Sequence, residues 1–260
     1  FKKVVIADGV AQVADAGFAD GVGWVTTAMG ILAFALQIYG DFSGYTDIAR
    51  GISRMMGIEL RLNFRFPYAS NSPQEFWRRW HISLSNWLRD YLYISLGGNR
   101  QGPVRTYANL MTTMVLGGLW HGAAWNYVLW GFFQGSCLCV HRWWIAHFKP
   151  MFNPNFFVHL FKVLLYFQFT CYGWILFRAT SLGQVGEMTT GLFQSEAFNG
   201  ELFVPLLQYA LPMVVIEWLY TREKLPAAFG PALRTGVYAL AFYLFVFHGE
   251  VSESFLYFQF

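Results

Sequence analysis

The chain has 260 residues, of which 55% are hydrophobic, 20% aromatic and only 13% charged. Soluble domains carry about 25% charged residues, so this composition excludes a disordered chain and argues against an ordinary soluble globule. The net charge of +3 is too small to indicate a nucleic-acid partner. The remaining class is a protein that crosses the lipid bilayer several times, and its many aromatic rings suit the membrane–water interfaces.

Six apolar segments are long enough for a transmembrane helix, which needs about 20 mostly apolar residues. They cover residues 22–40, 105–121, 124–146, 156–178, 202–220 and 233–248. We therefore predict an all-α polytopic membrane protein with about six transmembrane helices. The connections are short, so residues 1–260 are expected to form a single domain. Because the chain begins with Phe1 and has no signal-peptide pattern, we interpret it as an N-terminally truncated part of a longer protein.

The connection between the first two segments is strongly basic. Residues 50–105 contain nine arginines, which is half of the 18 basic residues in the chain. Loops rich in lysine and arginine stay in the cytoplasm, so this connection is predicted to face the cytoplasm. Counting the crossings onward places the turn at 120–124 and the acidic stretch at 179–201 on the outer side.

Within this connection, Ser72-Pro73-Gln74-Glu75 has the pattern of a helix N-terminus, a capping box with proline at the first helical position. We predict a helix over residues 73–96 that ends before Gly97. Its apolar face would contain Phe76, Trp80, Leu84, Trp87 and Tyr91. An amphipathic helix of this kind lies along a membrane surface or re-enters the membrane rather than spanning it.

Two interpretations of this helix stay open. It is either a surface anchor or the floor of a site that meets an anionic donor from the cytoplasm. Arg78 and Arg79 fall on its polar face, and His81 falls at the edge of its apolar face. Guanidinium groups bind phosphates through paired hydrogen bonds, so the second interpretation places the donor beside these two arginines.

Polar residues follow directly on the first apolar segment. Residues 39–47 read Tyr-Gly-Asp-Phe-Ser-Gly-Tyr-Thr-Asp, with carboxylates at Asp41 and Asp47. On a helix these carboxylates would point about 120° apart, because each residue adds about 100°, so they do not form a paired-acid site. The segment is either a helix terminus at the membrane interface, or Asp41 lines a polar tunnel or pairs with an arginine of the basic connection.

The strongest local signal is a histidine between two apolar segments. Residues 117–126 read Gly-Gly-Leu-Trp-His-Gly-Ala-Ala-Trp-Asn, with His121 flanked by glycines and bulky aromatic rings. Ionisable groups at membrane depth are costly and are often functional. An imidazole with an ordinary pKa near 6.5 can accept a proton from a hydroxyl at neutral pH. From the residues alone, His121 is either catalytic or an interfacial packing residue.

Other site chemistries lack a motif in this sequence. No two histidines have the i, i+4 spacing of a helical zinc site, so no metal is predicted. The three cysteines, Cys137, Cys139 and Cys171, lie in apolar stretches without metal-ligand spacing and are expected to pack as hydrophobic side chains. No phosphate-binding glycine loop, serine-nucleophile elbow or Cys–His pair is present, so serine or cysteine hydrolase chemistry is not expected.

Three of these motifs together resemble the membrane-bound O-acyltransferase family: residues 72–85, 39–47 and 118–126. The sequence is most similar to the bacterial branch that O-acetylates alginate, and the branch that transfers D-alanine to teichoic acid is a relative. The resemblance implies that the chain is the C-terminal part of a larger helical membrane fold. It also implies that His121 is catalytic and that His81 is a second important residue near the cytoplasmic mouth of a reaction tunnel.

The resemblance implies a bacterial cytoplasmic (inner) membrane enzyme that passes an acyl group, expected to be acetyl, outward to a polysaccharide hydroxyl. The donor would be acetyl-CoA or an acyl-carrier thioester near Arg78 and Arg79, and no bound cofactor is expected. The residues expected to line the tunnel are Asp41, Trp120, Trp125 and Asn126. A periplasmic relay protein would complete transfer to the polymer. His121 would act as general base or as a transient acyl carrier.

Two alternatives to acetyl transfer remain. The first is D-alanyl transfer to teichoic acid, with a dedicated carrier protein as the donor. The second comes from another class of protein, a transporter or polysaccharide export subunit in which the same polar residues line a passage and no bond is made. The acceptor polymer is not fixed by the sequence motifs.

Overall fold

The computed structural model describes residues 1–148, 155–221 and 230–248, and all regular secondary structure within these ranges is helical. The α-helices are α1 (Asp8–Gly17), α2 (Trp24–Met55), α3 (Pro73–Arg79), α4 (Ile82–Trp87), α5 (Gly102–His121), α6 (Trp125–His147), α7 (Phe156–Arg178), α8 (Leu182–Gly191), α9 (Gly200–Thr221) and α10 (Pro231–His248). Lys2–Ala7 and Leu88–Tyr93 form π-helical turns, and Pro67–Ala69 forms a 3₁₀ turn. The all-α prediction is confirmed.

Three helices in the described ranges are long and apolar enough to cross a membrane: α2, α7 and the Gly200–Glu217 part of α9. Each of the six predicted segments coincides with a helix, but α5 and α6, which are fully described, are not among these three. The described part of the chain therefore contains three helices that could span a membrane, and the number of six crossings stays a prediction.

The chain folds into two compact units. The first comprises residues 1–60 and the part of 186–260 that is described, and the second comprises 61–185 with its own described part. Residues 149–154, 222–229 and 249–260 of the predicted single domain lie outside the described residues. In the first unit, α1 packs along α2, and the Tyr39 hydroxyl donates a 2.8 Å hydrogen bond to the Glu217 carboxylate of α9.

Of the interpretations of residues 39–47, the helix terminus at the membrane interface is wrong, because α2 continues through both aspartates to Met55. The N-terminal helical segment explains why. The carboxylate of Asp41 pairs with Lys3, and the Lys2 ammonium lies 2.9 Å from an Asp47 carboxylate oxygen. A charge that would be costly at membrane depth is offset by an opposite charge from a packed neighbour, so the helix does not need to end where polarity begins.

The continuous helix predicted over 73–96 is also wrong. Helix α3 stops at Arg79, Trp80 is extended, and His81 adopts a left-handed conformation with φ 41° and ψ 55°. Backbone hydrogen bonds to an earlier loop replace those of a helix: Ile82 N–H donates to the Asn63 carbonyl, and Arg65 N–H donates to the Arg79 carbonyl, both at 2.9 Å. The break lets the Trp80 side chain turn into the core, where it is buried.

The predicted apolar face of that segment is consequently divided. Phe76 and Trp80 are buried and stack with ring centroids 5.5 Å apart, whereas Trp87 and Tyr91 are exposed. The helix start was predicted correctly, since the Ser72 hydroxyl accepts a 3.4 Å hydrogen bond from Glu75 N–H. The reciprocal bond of the capping box is shifted by one residue, because the Glu75 carboxylate accepts from the backbone N–H of Asn71 at 2.8 Å.

Glycines let α5 and α6 form a close antiparallel hairpin in the second unit. A Cβ atom on Gly118 would collide with the Tyr127 carbonyl oxygen, and one on Gly131 would collide with the Met114 carbonyl oxygen. Close backbone approach of this kind requires the absence of a side chain. The glycines thus fix the distance between the two helices and, with it, the position of the turn at 122–124.

Gly131→Ala is expected to destabilise the protein by about 1–3 kcal/mol, the usual cost of inserting atoms into a filled interface. The new methyl group would meet backbone, which cannot rotate away. The matched control is Gly51→Ala in α2, where a Cβ meets nothing within 4 Å and the helix should gain about 0.5–1 kcal/mol. Thermal unfolding in detergent measures both variants, and a Gly131→Ala melting temperature equal to that of the parent would contradict this account of the hairpin.

Candidate functional site

His121 lies at the C-terminal end of α5, inside a group of aromatic rings from three helices. The imidazole centroid is 5.1 Å from that of Phe177 on α7 and 5.3 Å from that of Trp130 on α6, both edge-to-face. Tyr127, one turn before Trp130, has its ring 6.4 Å away. Tyr127, Trp130 and Phe177 are all buried, so the imidazole has apolar walls and is itself half-buried.

Trp120 connects the two histidines that were predicted as site residues. Its ring centroid is 5.1 Å from that of His121 and 6.4 Å from that of His81, and both contacts are edge-to-face. The Trp120 side chain is 56% exposed, so one side of this indole is open while the other faces the imidazoles. The structure thus brings His81, Trp120 and His121 into one cluster, which we call the imidazole cluster.

His81 reaches this cluster because of its backbone conformation. Within the described residues, the non-glycine residues with positive φ are Phe66 and His81, and each lies directly beside a residue that makes one of the two backbone hydrogen bonds described above. Such strained residues are found preferentially at functional sites. Asn63 supports the bend, because its side-chain carbonyl accepts hydrogen bonds from the backbone N–H and the hydroxyl of Ser83 at 3.0 and 2.8 Å.

Burial sets the protonation state of His81. It lowers the pKa of this imidazole from its ordinary value of 6.5 to about 4, because an apolar environment disfavours the charged form. The ring is therefore neutral at pH 7. The Ser83 hydroxyl lies 3.4 Å from Nδ1 of this ring.

Asn126 positions the wall of the cluster. Its buried side-chain amide donates a 2.9 Å hydrogen bond to the Ala179 carbonyl and a 3.5 Å bond to the Phe177 carbonyl. These carbonyls belong to the C-terminal end of α7, where the last backbone acceptors of a helix lack intrahelical partners. Asn126 thus joins the start of α6 to the end of α7 and holds Phe177 over His121.

Asn126→Ala is expected to cost about 1–3 kcal/mol of stability, because it leaves buried carbonyl acceptors without their donor. The control is Asn86→Ala, since Asn86 makes no side-chain hydrogen bond among the residues the structure describes. Melting temperatures of the two variants in detergent give the comparison, and equal values would show that the amide does not join α6 to α7.

The other predicted site residues of the second unit lie around this cluster. Trp125 is 75% exposed at the start of α6, so it does not line an enclosed cavity within the described part of the chain. Arg79 forms an ion pair with Glu75 and donates to the Phe66 carbonyl at 3.4 Å. Arg78 is exposed. Of the two arginines expected to meet the donor, Arg78 has the side chain turned to solvent.

Asp41 belongs to the first compact unit, where it is 3% exposed and pairs with Lys3. The sequence suggested that Asp41 lines a tunnel or pairs with an arginine of the basic connection. In the structure its ion-pair partner is Lys3. The cysteines agree with their predicted packing role, since Cys171 is buried and Cys137 and Cys139 are half-buried, all as free thiols.

Sequence reasoning missed the residues that enclose His121. Tyr127 and Trp130 carried a usable signal, because they are three residues apart on a predicted helix that starts next to His121 and therefore share one face. Phe177 carried none, because its contact depends on how α7 packs against the hairpin. Asn63 was missed because a loop residue that caps another segment has no local spacing pattern.

Comparison with known proteins identifies the family. A sequence profile described as the membrane-bound O-acyltransferase family matches residues 21–186. A probable alginate O-acetylase AlgI of Pseudomonas putida is 48% identical over 198 residues, which cover 74% of this chain and 39% of that relative. A peptidoglycan O-acetyltransferase of Helicobacter pylori is 42% identical over 194 residues, covering 74% of this chain and 36% of the relative.

A more distant relative is a teichoic acid D-alanyltransferase of Bacillus subtilis, 30% identical over 156 residues that cover 55% of this chain and 39% of that protein. The chain thus matches between 36% and 39% of the length of these three relatives. The family match includes α2 to α7 and contains the whole imidazole cluster, so the chain belongs to the membrane-bound O-acyltransferase family.

Proposed function

We propose that the full-length protein containing this chain is a membrane O-acyltransferase that uses His121 to move an acyl group, expected to be acetyl, from a thioester to a hydroxyl. The observation that carries the proposal is the enclosure of His121 by Tyr127, Trp130 and Phe177 with His81 next to it across Trp120. Apolar walls exclude water, which protects a reactive thioester from hydrolysis and strengthens polar interactions inside the site.

The proposed reaction needs a base, and His121 is placed to act as one. A ring nitrogen of His121 accepts the proton of the attacking hydroxyl while the hydroxyl oxygen bonds to the thioester carbonyl carbon. Collapse of the tetrahedral intermediate breaks the carbon–sulfur bond, and the departing thiolate takes the proton back from the imidazolium. General base catalysis of this type contributes a factor of about 10²–10⁴ in rate.

The membrane context gives the reaction a direction. The basic connection at 50–105, predicted to be cytoplasmic, includes His81 and the exposed Arg78, and Arg78 would meet the phosphates of acetyl-CoA or an acyl carrier. The His121 turn is predicted to be nearer the outer face of a bacterial inner membrane. The acceptor would therefore be an extracytoplasmic polysaccharide such as alginate, reached through a periplasmic relay protein.

The relatives divide between two acyl groups, so the first experiment distinguishes them. The gene for the full-length protein is deleted in its own organism, and the exported polymer is assayed for acetyl esters and for D-alanyl esters. We expect loss of acetyl esters with normal polymer yield. Loss of D-alanyl esters would assign the chain to the teichoic acid branch, which the 30% identity to the Bacillus subtilis protein favours less. A reduced yield of exported polymer, with the ester content per sugar of the remaining polymer unchanged, would indicate an export subunit and refute the transferase.

The predicted topology has its own test. Single cysteines are placed at residues 190–200 of a variant in which Cys137, Cys139 and Cys171 are replaced by serine, and intact cells are treated with an impermeant thiol reagent. Labelling in intact cells is expected, because this stretch is predicted to be outside. Labelling only after lysis would invert the topology and place the His121 turn toward the cytoplasm.

A further inference from the structure

Trp130 has a buried hydrogen-bond donor without an acceptor. The side chain is 3% exposed, and its Nε1 atom has no hydrogen-bond partner among the residues that the structure describes. Buried donors are satisfied in the large majority of cases, and leaving one unpaired costs about 1–3 kcal/mol. An unpaired donor at a functional site therefore needs an explanation, and phenylalanine would fill the same apolar space without this cost.

The location of this donor supplies the explanation. The Trp130 ring meets the His121 ring at an interplanar angle of 89° with the centroids 5.3 Å apart. Its other neighbours are aromatic, with Phe177 at 5.3 Å and Trp77 at 5.9 Å between centroids. These rings offer no strong acceptor, so a ligand beside His121 is a suitable partner for the indole N–H.

We propose that the Trp130 indole N–H donates a hydrogen bond to the carbonyl oxygen of the acyl group under attack. The proposal rests on the proposed function and adds a further catalytic residue to it. When the hydroxyl oxygen bonds to the carbonyl carbon, the carbonyl electrons move to the oxygen and give an oxyanion. The indole N–H stabilises that charge without transferring its proton, and the charge returns to the carbonyl bond when the thiolate leaves.

Trp130 suits this role better than the other indole of the cluster. Trp120 also contacts His121, but its side chain is 56% exposed, so its N–H can be satisfied by water. A donor in an apolar, fixed surrounding stabilises developing charge far more than one in water, because it does not need to reorient. Trp130 meets this condition through its burial and its contacts with three other rings.

The test removes the N–H and keeps the shape. In the full-length protein, Trp130 is replaced by β-(3-benzothienyl)alanine, in which sulfur stands in place of the indole N–H, and Trp130→Phe serves as a genetically simple second variant. The control is the same pair of replacements at Trp77, whose Nε1 is also buried without an acceptor in the described ranges. Acyl transfer from labelled acetyl-CoA is measured as kcat and KM, together with the melting temperature of each variant.

The expected result is a fall in kcat of about 10²-fold at position 130, the scale found for the loss of one oxyanion donor. KM should stay near that of the parent, and the benzothienyl variant should melt at the parent temperature or above it, because an unpaired donor has been removed. The variants at position 77 should retain kcat. An unchanged kcat at position 130 in an active, folded protein would overturn the inference alone, whereas a parent protein without acyl transfer would overturn the proposed function.

Discussion

His121→Ala is expected to abolish acyl transfer while the polymer continues to be made and exported. The substitution removes the ring nitrogen that would accept the hydroxyl proton, and a positioned base is worth a factor of about 10²–10⁴. The surrounding rings remain, so the variant should fold and reach the membrane in normal amount. The measurement is the acetyl ester content per sugar of the purified polymer, normalised to the protein level in the membrane.

The matched control for this substitution is His147→Ala. His147 is an exposed histidine at the end of α6 whose Nδ1 lies 2.8 Å from the Trp143 carbonyl, and it does not belong to the imidazole cluster. Its loss should leave acetylation near the parent level. Normal acetylation in the His121→Ala strain, at normal protein level, would refute the catalytic assignment and reduce His121 to a packing residue.

Substitution of His81 should also cause a large loss of acyl transfer. Alanine alone cannot show whether this loss comes from the missing imidazole or from strain in the backbone. His81 is left-handed with φ 41°, and that conformation costs most residues about 1–2 kcal/mol. His81→Gly removes the imidazole and tolerates the backbone conformation, and His81→Asn keeps a residue type that is enriched in it. We expect all three variants to lose acyl transfer by at least about tenfold, corresponding to about 1.4 kcal/mol of transition-state stabilisation.

Stability separates the two roles of His81. His81→Gly and His81→Asn should melt closer to the parent than His81→Ala, because glycine and asparagine accept the bend between α3 and α4. Loss of activity in all three would therefore follow the imidazole and not the melting temperature. If His81→Gly acylates near the parent rate, the histidine serves only the bend, and the second imidazole has no part in transfer.

The positions of the main helices could be predicted from the sequence because they depend on local properties. Apolar length predicted helices where α5, α6, α7, α9 and α10 are observed, to within a few residues at each end. The capping pattern at Ser72 likewise depends on neighbours along the chain, and α3 begins at Pro73 as predicted. The glycine-flanked His121 was found for the same reason, since its motif is contiguous.

The errors came from contacts between distant segments. Helix α2 passes through Asp41 and Asp47 because Lys3 and Lys2, 38 and 45 residues earlier, supply opposite charges. The bend at His81 exists because Asn63 and Arg65 offer backbone and side-chain partners that compete with a helix. Periodicity cannot reveal either effect, since it describes one segment at a time.

In the candidate site, too, local motifs could be predicted from the sequence and contacts between distant segments could not. His81, Trp120 and His121 were named from motifs, and the structure places them together. That Asn126 lines a tunnel stays a prediction, whereas its hydrogen bond to the end of α7 could not be predicted without knowing where α7 ends. Phe177 and the unpaired N–H of Trp130 emerge only from packing, because an unsatisfied donor is defined by the absence of an acceptor in its surroundings.

In the proposed function, His121 passes an acyl group from a cytoplasmic thioester to an acceptor on the other side of the membrane. Sealed inside-out membrane vesicles from polymer-producing cells test it directly, because labelled acetyl-CoA added to the medium reaches only the cytoplasmic face. Vesicles with the parent protein should accumulate labelled acetyl ester on polymer in the lumen, and vesicles with His121→Ala should accumulate none. Equal labelling in both, or labelled ester found only on the donor side, would contradict the account.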